Sequence, residues 1–153
     1  MVRLKDTDDM LRAALQGLEC RGYDTAPWVE GPPLNKRRVA IISTAGLQKR
    51  SDQPFAVGAS DYRVIPGNTD SGDIVMSHIS TNFDRTGFQQ DINVAFPIDR
   101  LRELADEGVI GSVADYHYSF MGATDPDDMA LKAEELAGLL KKDNVNAVLL
   151  APV

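Results

Sequence analysis

Apolar positions recur along this 153-residue chain in two rhythms. In "TDDMLRAALQGLECRG", Met10, Leu11, Ala14, Leu15 and Leu18 fall at three- and four-residue steps. That spacing predicts an amphipathic helix, capped by Thr7 or Asp8 and ended by Gly22. "PIDRLRELADEGVIG" repeats the rhythm through Ile98, Leu101, Leu104 and Ala105, with Pro97 suited to its first turn and Gly108 to its end. "DPDDMALKAEELAGLLKKDNV" predicts the longest helix. Asp125 or Asp127 caps it, acids crowd its start, and Lys141 and Lys142 close it, as the helix dipole prefers.

The other rhythm is that of strands. "RRVAIISTAGL" is apolar on consecutive residues from Val39 to Ser43, and "NVNAVLLAPV" repeats this at Ala147–Leu150. Unbroken apolar runs predict strands buried on both faces, so both are expected to lie in the interior of a sheet. "YRVIP", closed by Pro66, and "DIVMSHI" predict two further short strands, and "DYHYSFMG" a strand or turn against the core. "DTAPWVEGPPL" reads as an extended linker anchored by Trp28. "STNFDRTGFQQDINVAF" is polar and irregular, and loops of that length tend to carry function. Strands separated by helices give an α/β fold: three layers, a mostly parallel sheet flanked by helices, and an irregular polar middle loop. We expect one domain over residues 1–153, with an N-terminal helix and proline-rich linker over 1–37 ahead of the main region, 38–153.

Charge and composition remove several function classes. A net charge of −7 leaves no basic surface for nucleic acid, and "NKRR" at 35–38 is the solvated lead-in to a strand. No apolar run approaches the roughly 20 residues of a membrane span, and the first residues lack the apolar stretch of a signal peptide, so a cytoplasmic protein is expected. A single cysteine, Cys20, excludes an internal disulfide and suits a small buried apolar role better than a reactive one.

The chemistry-bearing residues fit no familiar catalytic motif: HExxH, CxxC, GxSxG and GxGxxG are all missing. "GNTDSGDI" has the glycine spacing of a phosphate loop, but Asp73 and Ile74 stand where Lys and Ser/Thr are required. The turn Thr44-Ala45-Gly46 lies at the carboxyl end of the Val39–Ser43 strand, where open α/β sheets bind ligands. The titratable candidates are His78, Asp84, Asp91, Asp99, Arg100 and His117. His78 and His117 with a carboxylate can form a facial metal triad, but they lie in separate elements without ligand spacing, so no metal site is expected. Both histidines equally suit hydrogen-bonded packing roles. Asp91 and Asn93 can orient a substrate or bond the loop backbone. Arg100 can clamp a carboxylate or make an ordinary ion pair. The candidate pocket is therefore His78, Asp91, Asn93, Arg100, His117 and Thr44, and the polar loop, the Thr44 turn and the end of the last strand are expected to converge there.

The stretches "DYRVIPGNT", "MSHIS", "DINVAFPIDRLRELADEGVIG", "HYSFMG" and "AVLLAPV" together resemble the selenoprotein B family of glycine, sarcosine, betaine and D-proline reductases over roughly residues 38–153. The resemblance implies an oxidoreductase that reductively cleaves an α-carbon–nitrogen bond with a selenocysteine or cysteine nucleophile. It also implies a substrate activated on a pyruvoyl-bearing partner subunit, with electrons from a thiol reductant. In the family the nucleophile comes after a strand like "VNAVLLAPV", which places it directly after Val153. Selenocysteine is encoded by UGA, which is commonly read as stop, so a chain ending at Val153 is expected to be truncated there and inactive. This chain itself contains no selenocysteine. Without a covering helix, the last strand is expected to drive self-association into a homo-oligomer. A short non-catalytic assembly subunit and a small-ligand-binding α/β domain are the alternatives that remain.

Overall fold

The computed structural model describes residues 3–17, 22, 24–80 and 85–153. It divides into two compact units, Met1–Glu30 and Gly31–Val153. The first unit holds helix α1, Asp9–Gln16, whose N-terminus is closed by the Asp8 carboxylate accepting from the Leu11 N–H at 2.9 Å. Gly17 rather than Gly22 is its C-cap, because its N–H already bonds the Ala13 and Ala14 carbonyls. Met10 is 84% exposed, so the apolar stripe is not a buried face. Trp28 is 79% exposed rather than a buried anchor. Leu18 and Cys20 lie outside the described residues.

The second unit is built on β1, Arg38–Ser43, followed by β2, Leu47–Lys49, β3, Tyr62–Pro66, and β4, Ile74–Met76. Next come α2, Thr86–Gln90, α3, Ile98–Asp106, β5, Ser112–Val113, β6, Tyr116–Phe120, α4, Pro126–Lys142, and β7, Ala147–Ala151. The main sheet centres on β1, which runs parallel to β5 and β6 along one edge and parallel to β7 along the other. β3 joins antiparallel to β6, so that three of the four pairings are parallel. β2 and β4, the former unforeseen from the sequence, pair antiparallel as a separate ribbon, Leu47 opposite Met76.

Helices cover both faces. Val39, Ile41, Ile65, Phe96, Ile98 and Leu101 form one core, beneath α3, and Tyr118, Phe120 and Leu136 with Ile42 and Leu139 form the other, beneath α4. Fully burying an aliphatic or aromatic side chain contributes roughly 1.5–3 kcal/mol, and the alternation of Ile41, fully buried, and Ile42, partly buried, supplies an aliphatic side chain to each face. The expected three-layer α/β arrangement is present. α3 is ended by Gly108 and α4 closes on Lys141 and Lys142, as their sequences foretell. Gly108 takes φ +71° after α3, and its N–H and that of Val109 bond back to Ala105 and Leu104. Asn144 takes φ 55° after α4, with the Asn144 and Val145 N–H groups bonding Lys141 and Leu140. These are the paired bonds that satisfy carbonyls left over at a helix end. At their starts, Asp125 caps α4 through the Asp127 N–H, whereas Pro97 precedes α3 instead of entering its first turn.

Two expectations are corrected. The Ala147–Leu150 strand is not interior: β7 pairs with β1 alone among the described residues, and Leu150 is 68% exposed. A run of consecutive apolar residues states what environment the strand requires, not whether a second neighbour is there to supply it. The polar middle loop is also less irregular than its composition suggests, since α2 and a 3₁₀ turn at Ile92–Val94 lie within it. No described helix is long and apolar enough to cross a membrane.

Candidate functional site at the carboxyl edge of the sheet

The parallel strands β1, β6 and β7 end side by side, and the segments that leave them meet at one point. After β1, the Thr44 N–H donates to the Ala151 carbonyl at 3.1 Å. The Thr44 hydroxyl accepts from the Val153 N–H at 2.9 Å and donates to the Val153 carbonyl at 3.3 Å. Thr44 thus fixes the direction in which the chain leaves β7. After β6, the Gly122 N–H donates to the Thr44 carbonyl at 2.8 Å. A side chain at Gly122 has no room: its Cβ would lie 2.6 Å from the Val153 carbonyl oxygen, 2.7 Å from that of Thr44 and 3.1 Å from His78 Nε2. The absence of a Cβ is what lets these groups crowd together.

His78 reaches this point from the segment after β4. The Ser77 N–H bonds the Gly46 carbonyl at 2.9 Å, tying that segment to the turn after β1. Gly46 has φ +64°, and a Cβ there would lie 3.1 Å from the His78 backbone. His78 is buried, and its Nδ1 accepts from the Ser80 N–H at 3.1 Å. A neutral ring that accepts at Nδ1 carries its proton at Nε2, the atom facing Gly122. Burial, with the Arg85 guanidinium close by, holds His78 below the ordinary imidazole value. Arg85 also donates to the His78 and Ser80 carbonyls at 2.6 and 2.7 Å, pinning the start of the polar loop.

Of the residues proposed from sequence, Thr44 and His78 come together with the end of the last strand. Asp91 and Asn93 gather elsewhere, beside a depression of about 420 Å³ bordered by Ser71, Gly72 and Phe88. There the Asp91 carboxylate accepts from the Asn93 backbone N–H at 2.9 Å and its side-chain N–H at 2.8 Å, which hold the carboxyl below its usual range. Asn93 in turn accepts from the Asp99 N–H at 3.0 Å and donates to its carboxylate at 3.1 Å, bracing the start of α3. Arg100 pairs with Glu103 at 2.7 Å on the surface. Asp84 lies outside the described residues.

His117 has a different setting. It is 0% exposed, and its Nδ1 accepts from the Ile41 N–H at 2.9 Å. β1 pairs with β5 through Val39 and with β6 from Ile42, so Ile41 falls where the neighbouring strand is interrupted. The imidazole takes the place of the missing strand carbonyl. Burial, then the Arg102 charge, lowers its pKa to about 4, so that the ring is neutral. A depression of about 480 Å³, lined by Gly67, Arg102, Asp115 and Tyr116, lies at the amino end of β6, opposite the Thr44 edge. No cluster of three or more His, Cys, Asp or Glu side chains suited to a metal occurs among the described residues. Gly122, Ser80 and Arg85 were missed in the sequence, where the one available signal was a glycine directly after an aromatic strand.

A mostly parallel sheet, helix-covered on both faces, with Thr44, His78 and Val153 gathered beyond the carboxyl ends of its central strands, defines an α/β protein of the kind in which ligands bind at that end. The chain belongs to the glycine/sarcosine/betaine reductase selenoprotein B family, whose model matches residues 24–153. It is 37% identical over 121 residues to the D-proline reductase subunit gamma of Acetoanaerobium sticklandii, covering 76% of this chain and 49% of that one. It is 32% identical over 138 residues to the glycine reductase complex component B subunit gamma of Symbiobacterium thermophilum, covering 84% of this chain and 31% of that one. A betaine reductase complex component B subunit beta of Peptoclostridium acidaminophilum is 30% identical over 122 residues, covering 76% of this chain and 28% of that one. The chain therefore spans half or less of the length of these relatives. No solved structure matches it significantly.

Proposed function

We propose that this chain forms the strand-edge scaffold of a reductase B subunit that cleaves the α-carbon–nitrogen bond of a small amino acid or its derivative. The nucleophile of that chemistry, a selenocysteine or cysteine, is presented directly after Val153. The observation that carries the reading is the convergence of Thr44, His78, Gly122 and the Val153 carbonyl at the carboxyl edge of the sheet. A selenol or thiol placed there emerges beside the Thr44 hydroxyl and the buried His78, on a backbone that Thr44 holds in one direction. Its attack at the α-carbon would form a carbon–selenium or carbon–sulfur bond as the carbon–nitrogen pair leaves with the nitrogen. One thiol of a dithiol would then attack the selenium or sulfur, so that the carbon leaves with the bonding pair and takes up a proton, and the second thiol would release the nucleophile as the dithiol closes to a disulfide. A pyruvoyl group on a partner subunit is the activating electrophile in this reading; the relatives' names, subunits and components of reductases, support partner subunits in general.

The test compares the protein with selenocysteine or cysteine directly after Val153 and the 153-residue chain. The former should be alkylated by iodoacetamide at that residue at neutral pH. With its partner subunit and a dithiol it should turn over a small amino-acid substrate about 10³-fold or more faster than the chain lacking the nucleophile. Equal turnover by the 153-residue chain would sink the reading.

Self-association belongs to the same proposal. The edge of β7 that pairs with no other strand among the described residues, with its exposed Val148, Leu149 and Leu150, offers a self-complementary surface to a second copy. Light scattering should give a mass above 16.7 kDa that rises with concentration; a constant monomer mass would count against this part.

A further inference from the structure

We infer that the depression of about 480 Å³ at the amino end of β6 binds a small zwitterion, its anionic group held by Arg102 and its cationic group by Asp115. The site lies at the opposite end of the sheet from Thr44 and stands independently of the proposed function.

Three observations carry it. The first is charge. Arg102 enters from α3 and Asp115 from the turn between β5 and β6, and both line the depression. They are opposite in sign, yet they do not pair with each other: Arg102 pairs with Asp99 at 2.7 Å and Asp115 with Arg38 at 3.0 Å. A ligand with a single charge is attracted by one wall and repelled by the other, whereas a zwitterion is attracted by both. The second is capacity. A guanidinium has five N–H groups, and Arg102 commits one to the Asp99 carboxylate and one to the Gly67 carbonyl. Asp115 meets Arg38 through one carboxylate oxygen, and its side chain stays 75% exposed. The third is rigidity. The Gly67 N–H donates to the Asp115 carbonyl at 2.7 Å, and the Asp115 N–H donates to the Asp143 carboxylate at 2.9 Å. Arg102 donates to the Gly67 carbonyl at 2.6 Å, so both walls are tied together before a ligand arrives. That lowers the ordering cost of binding. Pro66, Val113 and Ala114 line the same depression and offer apolar contact to the carbon chain joining the two charges. Arg102 and Asp115 both keep contact with water, so each alone holds weakly and selectivity comes from the two together.

The experiment is an amide NMR titration of the 153-residue chain at pH 7 and constant ionic strength. The probes are two zwitterions, β-alanine and γ-aminobutyrate, and two singly charged compounds, propionate and propylamine. At least one zwitterion should give saturable shifts at Gly67, Asn68, Asp115 and Tyr116, the residues around the depression. It should bind about tenfold or more tightly than either singly charged probe, because it engages two charge-assisted contacts instead of one. Asp115→Asn and Arg102→Gln should each weaken the zwitterion about tenfold, and Asp115→Asn should leave propionate no weaker. Arg102 also braces Gly67, so circular dichroism checks each variant. If Arg102→Gln does not fold, Asp115→Asn decides, since that side chain is exposed and gives up only its pairing with Arg38. Shifts that do not saturate, shifts confined to other residues, or a folded Asp115→Asn form that binds the zwitterion like the parent would each overturn the inference. None of these results bears on the proposed function, whose test reads turnover and alkylation.

Discussion

Replacing His117 with alanine is expected to lower the stability of the second unit by about 3–4 kcal/mol. The ring is fully buried, packs edge-on against Phe96 with centroids 5.6 Å apart, and is the acceptor for the Ile41 N–H. Alanine leaves a cavity and an unsatisfied backbone donor in the middle of the central strand. The pH dependence has a definite sign. With a folded pKa of about 4 against an ordinary 6.5, the unfolded chain binds the proton more readily than the folded one. The stabilisation is thus complete above about pH 6.5 and is lost as pH falls towards 4, by about 3 kcal/mol in all. His78, also depressed, contributes with the same sign. Urea unfolding midpoints measured between pH 4 and 7 should therefore slope upward in the parent and less steeply in His117→Gln. Parallel slopes would show that His117 is not the group responsible.

Replacing Asp143 with alanine should cost about 3 kcal/mol, at the low end for breaking a buried pair because Arg38 keeps some contact with water. Asp143 ends α4, and its carboxylate accepts from the Asp115 and Tyr116 N–H groups at 2.9 and 3.2 Å and pairs with Arg38. Arg38 in turn donates to the Asp143 carbonyl at 2.7 Å and the Val113 carbonyl at 2.8 Å. One side-chain pair thus joins α4 to β1, β5 and β6. Burial opposes ionisation of Asp143, but the Arg38 guanidinium and the two N–H groups outweigh it and hold the carboxyl below its ordinary value. This contribution is present above the ordinary carboxylate range and lost as pH falls through the lowered value, an acid window below that of His117. Asp143→Asn keeps an acceptor and should cost less than alanine. Urea midpoints at pH 7 that are equal for Asp143→Ala and the parent would refute this assignment.

Much of the fold was legible because it depends on local chemistry. The α3 and α4 helices arise from three- and four-residue apolar steps, the Asp125 cap, the Gly108 end and the closing Lys141 and Lys142, each a short-range preference of the chain. The consecutive apolar residues of β1 foretold a strand covered on both faces, and Ile41 and Ile42 do feed the two cores. The short β2 strand escaped notice because three residues carry too little periodicity, and it exists only by pairing with β4.

The candidate residues divide along the same line. Asp91 with Asn93 and Arg100 with Glu103 are neighbours in sequence, and the backbone-bonding and ion-pair alternatives open to them were readable there. The meeting of Thr44, His78, Gly122 and Val153 was not, since the four arrive from different elements far apart in the chain. By itself the sequence determined the family, the three-layer class and the helices, because motifs, periodicity and caps act over a few residues. Only the tertiary structure decided that β7 pairs with β1 alone among the described residues, that His117 serves the gap in the strand beside β1, and that His78 lies near the end of β7. Each of those depends on which strand lies beside which, and strand order is settled by long-range packing that no local pattern encodes.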